Sequence, residues 1–164
     1  MIRPLTPADA EELAALYAAN REFLAPFEPE RPEAFFTAAG QRERLAAPPQ
    51  GEDRRYAILD GGAIAGTISL TNVVRGAFRS ANTGYWVDAG RNGRGLATAA
   101  VGELLGAAFG ELGLHRVEAG TLLDNAASQR VLERNGFERI GVARRYLWIA
   151  GAWRDHVLFQ RLAD

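Results

Sequence analysis

A glycine-rich turn joins a predicted strand to a predicted helix in the middle of the chain, at the segment Asn92-Gly93-Arg94-Gly95-Leu96-Ala97-Thr98. The first backbone N–H groups of a helix lack partners within the helix, and the helix dipole makes this end attractive to anions. Glycines let the main chain approach phosphate oxygens, while Arg94 adds a charge and Thr98 adds a hydroxyl. These seven residues therefore predict a phosphate site, with a plain strand-to-helix turn carrying solvated arginines as the alternative.

Two other kinds of phosphate loop do not fit the spacing found here. A Walker loop needs a lysine after its last glycine, and this chain contains no lysine. A dinucleotide-binding loop needs glycines at relative positions one, three and six, where this chain has Gly93, Gly95 and Thr98. The turn also follows an antiparallel hairpin, so a dinucleotide-dependent dehydrogenase is poorly supported.

Hydrophobic spacing and end signals predict the elements that must position this turn. Helices are predicted at residues 6–19, 33–47, 96–112 and 124–136. Strands are predicted at residues 56–59, 64–70, 83–88, 115–122, 137–149 and 153–162. The first two of these strands form one predicted hairpin, and the last two form another. This order indicates an α+β fold with a mixed sheet and not a run of βαβ units.

Composition narrows the class of protein further. A chain of 164 residues suits one domain spanning residues 1–164. The net charge of -1 gives no overall attraction to nucleic acid or to a membrane surface, so an anionic ligand needs a local site. The chain has no cysteine, and His115 with His156 would make a poor zinc site, so no metal is predicted. No apolar signal core is present, and a cytoplasmic location is predicted.

Two segments carry a resemblance to a known family. The segment from Asn92 to Ala97 resembles the Gln/Arg-x-x-Gly-x-Gly/Ala signature with which GNAT acetyltransferases hold the pyrophosphate of acetyl-CoA, although Asn92 departs from its first position. Residues 115–128 and 131–137 resemble the Asn-x-x-Ser and Gly-Phe pattern of the RimJ/RimL-type branch, which acetylates N-terminal amines of ribosomal proteins. Residues 20–27 and 151–155 also resemble that branch.

The resemblance implies a three-layer α/β/α fold whose mostly antiparallel sheet opens like a V between two middle parallel strands. The pantetheine arm of acetyl-CoA would fill the gap and pair with the backbone of Tyr85, Trp86 and Val87. The N–H of Val87 would then donate to the thioester oxygen, where negative charge grows during attack. Asn125 is a candidate for bonding a pantetheine amide, and its role as a helix N-cap is compatible with that.

The resemblance also implies acetyl transfer to a primary amine, for which two proton carriers are candidates. Ser128 would protonate the leaving thiolate, and a serine merely near a helix start is the alternative. Glu118 would accept the amine proton through water, and a structural carboxylate paired with Arg116 or Arg145 is the alternative. Relatives that use a tyrosine as the acid carry it seven residues after Asn125, where this chain has Leu132.

The acceptor is expected where residues 20–29 meet the closing hairpin. Candidate contacts are polar or aromatic, although core packing explains many of the aromatics equally well: Asn20, Phe23, Phe27, Tyr146, Trp148 and Trp153. The expected acceptor is the N-terminal α-amino group of a protein, such as a ribosomal protein. Acetylation of an antibiotic or amino acid, and a non-catalytic acyl-CoA-binding module, are the alternatives. The chain is expected to act as a monomer or homodimer.

Overall fold

The computed structural model describes residues 1–164 as one seven-stranded sheet with helices on both faces. Its helices are α1 (Ala10–Ala19), α2 (Arg21–Leu24), α3 (Ala38–Ala46), α4 (Leu96–Gly106) and α5 (Ala126–Arg134). Its strands are β1 (Ile2–Pro4), β2 (Arg54–Asp60), β3 (Ala63–Val74), β4 (Ser80–Val87), β5 (Arg116–Leu122), β6 (Glu138–Ile149) and β7 (Ala152–Leu162). No helix combines the length and apolar character needed to cross a membrane.

The strand order is β1-β2-β3-β4-β5-β7-β6, and only the β4–β5 pair is parallel. This arrangement confirms the predicted α+β fold with a mixed, mostly antiparallel sheet. The strands β3 and β4 are longer than predicted, because Val74 pairs with Ser80 across a register shift in the segment expected to be a polar loop. The predicted helix at 96–112 divides into α4 and a π-helical turn at Ala107–Glu111.

Two apolar clusters hold the helices to opposite faces of the sheet. Successive strand residues point to opposite faces, so Ala57 and Ile58 on β2 enter different clusters. The larger cluster packs α4 and α5, through residues such as Leu104 and Leu132, on one face. The smaller cluster packs α1, through Leu13 and neighbouring side chains, on the other face. These three layers match the predicted architecture.

Pairing between β4 and β5 stops partway along the two strands. The ladder joins Ser80, Ala81 and Asn82 to Arg116, Val117 and Glu118. Beyond it, β4 continues to Val87 and β5 to Leu122 without further pairing to each other. The predicted V-shaped splay between two middle parallel strands is therefore confirmed.

The splay leaves backbone groups of β4 facing a gap. The N–H of Asp88 donates to the Ala65 carbonyl on β3 at 2.7 Å, so the backbone groups of Asp88 face β3. Because the N–H and C=O groups of successive strand residues point to alternate edges, those of Val87 and Tyr85 face away from β3. These groups line the open side of β4, where an extended amide chain could pair with them.

Asp9 fixes the chain just before α1, and its replacement makes a test of pH dependence. Its carboxylate accepts from Arg3 at 2.7 and 2.9 Å and from the Thr6 backbone N–H at 2.8 Å. The hydrogen bond from Arg3 is the main cause that lowers the pKa of Asp9 from 3.8 to about 2. A carboxyl with a lowered folded-state pKa stabilises the fold above its unfolded pKa, and this contribution is lost as pH falls toward the folded value.

We therefore expect Asp9→Asn to lower the free energy of unfolding at pH 7 by about 1–2 kcal/mol. The deficit should shrink between about pH 4 and pH 2, because the wild-type carboxyl protonates in that window. Urea unfolding at a series of pH values measures it, with Asp124→Asn, an exposed position, as the control. An equal deficit at pH 7 and pH 2 would contradict the ionic origin.

Candidate active site

The glycine turn ends in a left-handed residue that caps α4. Gly93 and Gly95 have φ of 77° and 80°, and a Cβ added to either would project into open space. Ala99 is the first residue whose N–H bonds within the helix, to the Gly95 carbonyl at 3.0 Å. The N–H groups of Leu96, Ala97 and Thr98 make no hydrogen bond in the chain, so this end of α4 offers three free donors.

A groove of about 420 Å³ runs from these donors along β4 and α5, and we call it the glycine groove. Its lining includes all the predicted phosphate-turn residues except Arg94. The Arg94 guanidinium instead bonds Asp60 at the end of β2, at 2.7 and 3.3 Å. Arg94 is thus held by a neighbouring carboxylate, contrary to the expectation that it faces the phosphate site.

Three other arginines line the glycine groove, and the sequence reasoning did not single them out. Arg91 lies at the start of the turn, and Arg130 and Arg134 lie one helical turn apart on α5. A spacing of four residues places two side chains on the same face of a helix. The spacing of Arg130 and Arg134 can be read from the sequence. That both arginines line the groove follows only from the packing of α5 beside α4.

A second cavity of about 530 Å³ lies on the other side of the sheet gap, and we call it the arginine cavity. Its walls come from strands β2, β3, β4, β5 and β7, from helices α1, α2, α3 and α5, and from the segment after α2. The charged residues in its lining are Glu28, Arg31, Arg44 and Arg55, and His156 contributes an imidazole. The glycine groove and the arginine cavity share six lining residues: Leu24, Phe27, Tyr85, Trp86, Asn125 and Ser128.

A hydroxyl pair lies where the two spaces meet. The Tyr85 hydroxyl on β4 is 2.9 Å from the Ser128 Oγ on α5 and 3.2 Å from the Ser128 carbonyl. Burial raises the pKa of Tyr85 to about 12, so the phenol stays protonated at neutral pH and can donate. The pair therefore places two hydroxyl groups that can pass a proton at the mouth shared by both spaces.

Asn125 orients Ser128 by capping α5. The Asn125 Oδ1 accepts from the Ser128 backbone N–H at 3.2 Å, as a helix N-cap does. The cap leaves the Ser128 hydroxyl free to bond with Tyr85. Leu132 lies one turn further on, fully buried, in the lining of the arginine cavity. A leucine there cannot supply the tyrosine hydroxyl that some relatives use.

Of the other predicted catalytic groups, Val87 lines the glycine groove and Glu118 lines neither space. The Glu118 carboxylate lies 3.5 Å from the Arg116 guanidinium, and that guanidinium also bonds Gln160. Glu118 is held in this ion pair on β5, so the structure favours the structural alternative for it. The one carboxylate in the lining of the arginine cavity is Glu28, whose pKa is raised by burial, and such a group accepts protons readily.

The predicted acceptor contacts divide into groups. Phe23 and Phe27 line the glycine groove, and Phe27 also lines the arginine cavity. Asn20 is 2% exposed, and its amide donates to the Leu16 carbonyl and accepts from the Ala89 N–H, both at 2.9 Å. Because both ends of the amide are bonded inside the protein, Asn20 holds the turn after β4 and does not face an acceptor.

The closing hairpin does meet the segment after α2, as predicted, since the Ala150 N–H donates to the Glu28 carbonyl at 3.0 Å. Tyr146 packs beside His156 with ring centroids 5.7 Å apart and is not itself in the cavity lining. Trp148 and Trp153 pack on each other and stay about half exposed, outside both spaces. The hairpin therefore supplies His156 to the cavity, and its tryptophans lie elsewhere.

The mixed sheet opens between two parallel strands, and a glycine-capped helix lies beside the opening. This architecture is that of a transferase with an acyl-CoA donor. The family model described as an acetyltransferase (GNAT) domain matches residues 1–138. The chain is 39% identical over 161 residues to the probable N-acetyltransferase YjcK of Bacillus subtilis, covering 94% of this chain and 89% of that protein. It is 35% identical to the ribosomal protein uS5-alanine N-acetyltransferase of Escherichia coli, covering 96% and 84% of the two chains.

Among solved structures, RimJ of Mycobacterium smegmatis in complex with CoA-disulfide superposes with a TM-score of 0.93. It is 34% identical, and the match covers 99% of this chain and 81% of that one. The chain therefore belongs to the GNAT acetyltransferase family, with relatives of the RimJ type, and it is an N-acetyltransferase.

Proposed function

We propose that this acetyltransferase uses acetyl-CoA to acetylate the N-terminal α-amino group of a protein or peptide. The observation that carries the proposal is the meeting of the glycine groove and the arginine cavity at Ser128 and Tyr85. One space suits a long phosphorylated donor, and the other gives an acceptor a separate approach to the same hydroxyl pair. The E. coli relative, which acts on an alanine of a ribosomal protein, supports an N-terminal acceptor.

The residues of the glycine groove fit acetyl-CoA. The free N–H groups of Leu96, Ala97 and Thr98 would hold phosphate oxygens, because they lie at the positive end of α4. Arg130 and Arg134, which form no ion pair, add positive charge to the same lining, while Arg91 is shared with Asp60 and Asp88. The open edge of β4 at Tyr85 and Val87 would pair with the amides of the pantetheine arm. When bound, acetyl-CoA supplies an activated thioester carbonyl.

Each residue at the junction would act on one stage of the transfer. The Val87 N–H would donate to the carbonyl oxygen as negative charge develops on it. Ser128 would protonate the departing thiolate, and the buried Tyr85 hydroxyl would return a proton to Ser128. The proton that the amine loses on acylation would restore Tyr85 through water. Since an α-amine has a pKa near 8, about a tenth is neutral at pH 7, so the acceptor needs little help from a base.

We also propose that one catalytic domain spans residues 1–164, beyond the residues that the family model matches. Strand β7 supports this because it pairs with β5 along Arg116–Leu122 and brings His156 into the arginine cavity. Without β7 the cavity would lack one wall.

The test is CoA release from acetyl-CoA with a panel of acceptors, combined with mass spectrometry of the products. The panel contains peptides with N-terminal alanine or serine, the same peptides with a blocked N-terminus, and small amines such as spermidine. We expect acetylation of the free N-termini alone. Acetylation of the small amines in preference to peptides would overturn the acceptor class, and acetyl-CoA binding without any transfer would indicate a non-catalytic module.

A further inference from the structure

The arginine cavity carries more positive than negative charge. Arg31, Arg44 and Arg55 line it, and Glu28 is the only carboxylate in its lining. Arg31 lies 3.8 Å from Glu28 and so has a partner. The other two guanidinium groups in the cavity lining, those of Arg44 and Arg55, form no ion pair, so neither has a carboxylate within 4 Å. The cavity that also contains the hydroxyl pair in its lining therefore has a surplus of cations.

Neutral contacts hold those two guanidinium groups in place. The Arg44 Nε donates to the Gln41 Oε1 at 3.0 Å, and the Arg55 Nη1 donates to the Arg44 carbonyl at 3.0 Å. Gln41 is itself fully buried and anchored to the Phe35 carbonyl at 2.5 Å. Both arginines are thus positioned by the fold while most of their N–H donors are left unused.

Burial makes the surplus charge costly. It is the main cause that lowers the pKa of Arg44; the charges of Arg55 and Arg31 lower it further, and Tyr17 and Glu28 offset part of this shift. A partly buried cation without a counter-ion is destabilising, and a bound anion relieves that cost. Guanidinium groups bind carboxylates especially well, because their parallel N–H donors match the two oxygens.

An unsatisfied hydroxyl lies in the same cavity. Thr83 on β4 is 7% exposed, lines the arginine cavity, and its buried Oγ1 has no hydrogen-bond partner. Buried polar atoms are almost always bonded, so an orphan one beside a cavity marks a place where a water or a bound molecule can supply the partner. Thr83 and Tyr85 point to the same face of β4, toward α5, so the orphan hydroxyl lies on the side of the hydroxyl pair, while Arg44 and Arg55 lie on the α1 and α3 side of the sheet.

We propose that the arginine cavity selects acceptors that carry a carboxylate close to the reacting amine. Arg44 and Arg55 would bind that carboxylate, while the amine would reach the hydroxyl pair through the opening between β4 and β5. The carboxylate has two possible sources, an acidic side chain near a peptide N-terminus or the α-carboxylate of a free amino acid or dipeptide. The inference rests on the proposed function, because it names the class of acceptor for that site.

The test compares acceptors that differ in one charge. Alanyl tetrapeptide amides carry glutamate, glutamine or lysine at the second or third position, and alanine and dialanine are compared with their C-terminal amides. We expect kcat/KM for the best glutamate peptide to exceed that for its glutamine counterpart about tenfold, with lysine lowest. Should the free α-carboxylate be the source, alanine or dialanine would instead exceed its amide.

Two variants locate the preference in the cavity. Arg44→Gln and Arg55→Gln should each reduce the acidic-over-neutral ratio toward one, while acetyl-CoA affinity stays unchanged because these residues do not line the glycine groove. Arg42→Gln is the matched control, since Arg42 is exposed on the same helix and lines neither space. Two independent arginine variants keep the test valid if one of them folds poorly.

The outcomes separate this inference from the proposed function. Equal rates for glutamate and glutamine peptides, or a preference unchanged in both arginine variants, would overturn the inference and leave N-terminal acetylation intact. If no peptide is acetylated, binding of the same peptides to the protein–CoA complex is measured by calorimetry. Acidic-peptide binding that Arg44→Gln abolishes would then support the carboxylate site while overturning the proposed reaction, and binding independent of charge would overturn both.

Discussion

Gly95→Val should weaken acetyl-CoA binding by about a hundredfold. Gly95 has φ of 80°, a conformation that costs an L-residue roughly 1–2 kcal/mol and a β-branched residue more. The added side chain would also project into the open space in front of the free N–H groups of α4. The strain lowers stability, while the affinity falls because phosphate contacts are lost: each 1.4 kcal/mol is a factor of ten, and hydrogen bonds to a charged group contribute about 1.5–3 kcal/mol each. Isothermal titration with CoA measures it.

Gly113→Val separates the strain from the lost binding. Gly113 follows the π-helical turn at the other end of α4, has φ of 59°, and has no atom within 4 Å of an added Cβ. It lines neither space, so this variant should lose stability as Gly95→Val does while keeping its affinity for CoA. If Gly95→Val and Gly113→Val bind CoA with equal affinity, the glycine turn is not part of the donor site.

Ser128→Ala should lower kcat roughly five- to fiftyfold with little change in acetyl-CoA affinity. A positioned acid commonly contributes about a hundredfold or more, but a thiolate is a good leaving group and needs less assistance. The Ser128 backbone N–H still bonds Asn125 in the variant, so the cap of α5 survives and the stability loss should stay under about 1 kcal/mol. Single-turnover rates and thermal unfolding on one preparation measure both quantities.

Tyr85→Phe and Ser80→Ala complete this test. Removing the Tyr85 hydroxyl deletes the partner at 2.9 Å without changing Ser128, so a smaller fall in kcat is expected. Ser80 is a buried serine at the closed end of the β4–β5 ladder, outside both spaces, and its replacement should affect stability alone. Full turnover in Ser128→Ala with reduced stability would reject the acid assignment and leave Tyr85 or water as the proton source.

The sequence was most informative where a single short segment determines the geometry. The glycine turn, the Asn125 cap and both hairpins depend on residues close together in the chain, and all were predicted at their correct places. The V-shaped gap followed from the family resemblance. No local pattern indicates that a parallel ladder will stop after three residue pairs.

The sequence was least informative about charged side chains, because their partners come from distant segments. Arg94 faces Asp60, which lies 34 residues earlier, and the two meet only when β2 and the glycine turn are adjacent. Glu118 is the exception, because its partner Arg116 lies two residues away on the same strand and was named from the sequence as one alternative. Arg44 and Arg55 belong to a helix and a strand whose packing no spacing rule predicts, so the arginine cavity could not have been inferred from the chain alone.

Strand β7 follows β6 in the chain but lies between β5 and β6 in the sheet. During synthesis the elements of the glycine groove are therefore complete before the strand that closes the arginine cavity has emerged. Pairing between strands distant in the chain is slow, and β5 must keep its outer edge open until β7 arrives. Val157 and Phe159 of β7, however, belong to the apolar cluster beneath α4 and α5, so the helices beside the glycine groove gain their full support only when the last strand docks. Donor and acceptor spaces are therefore completed together, at the end of folding.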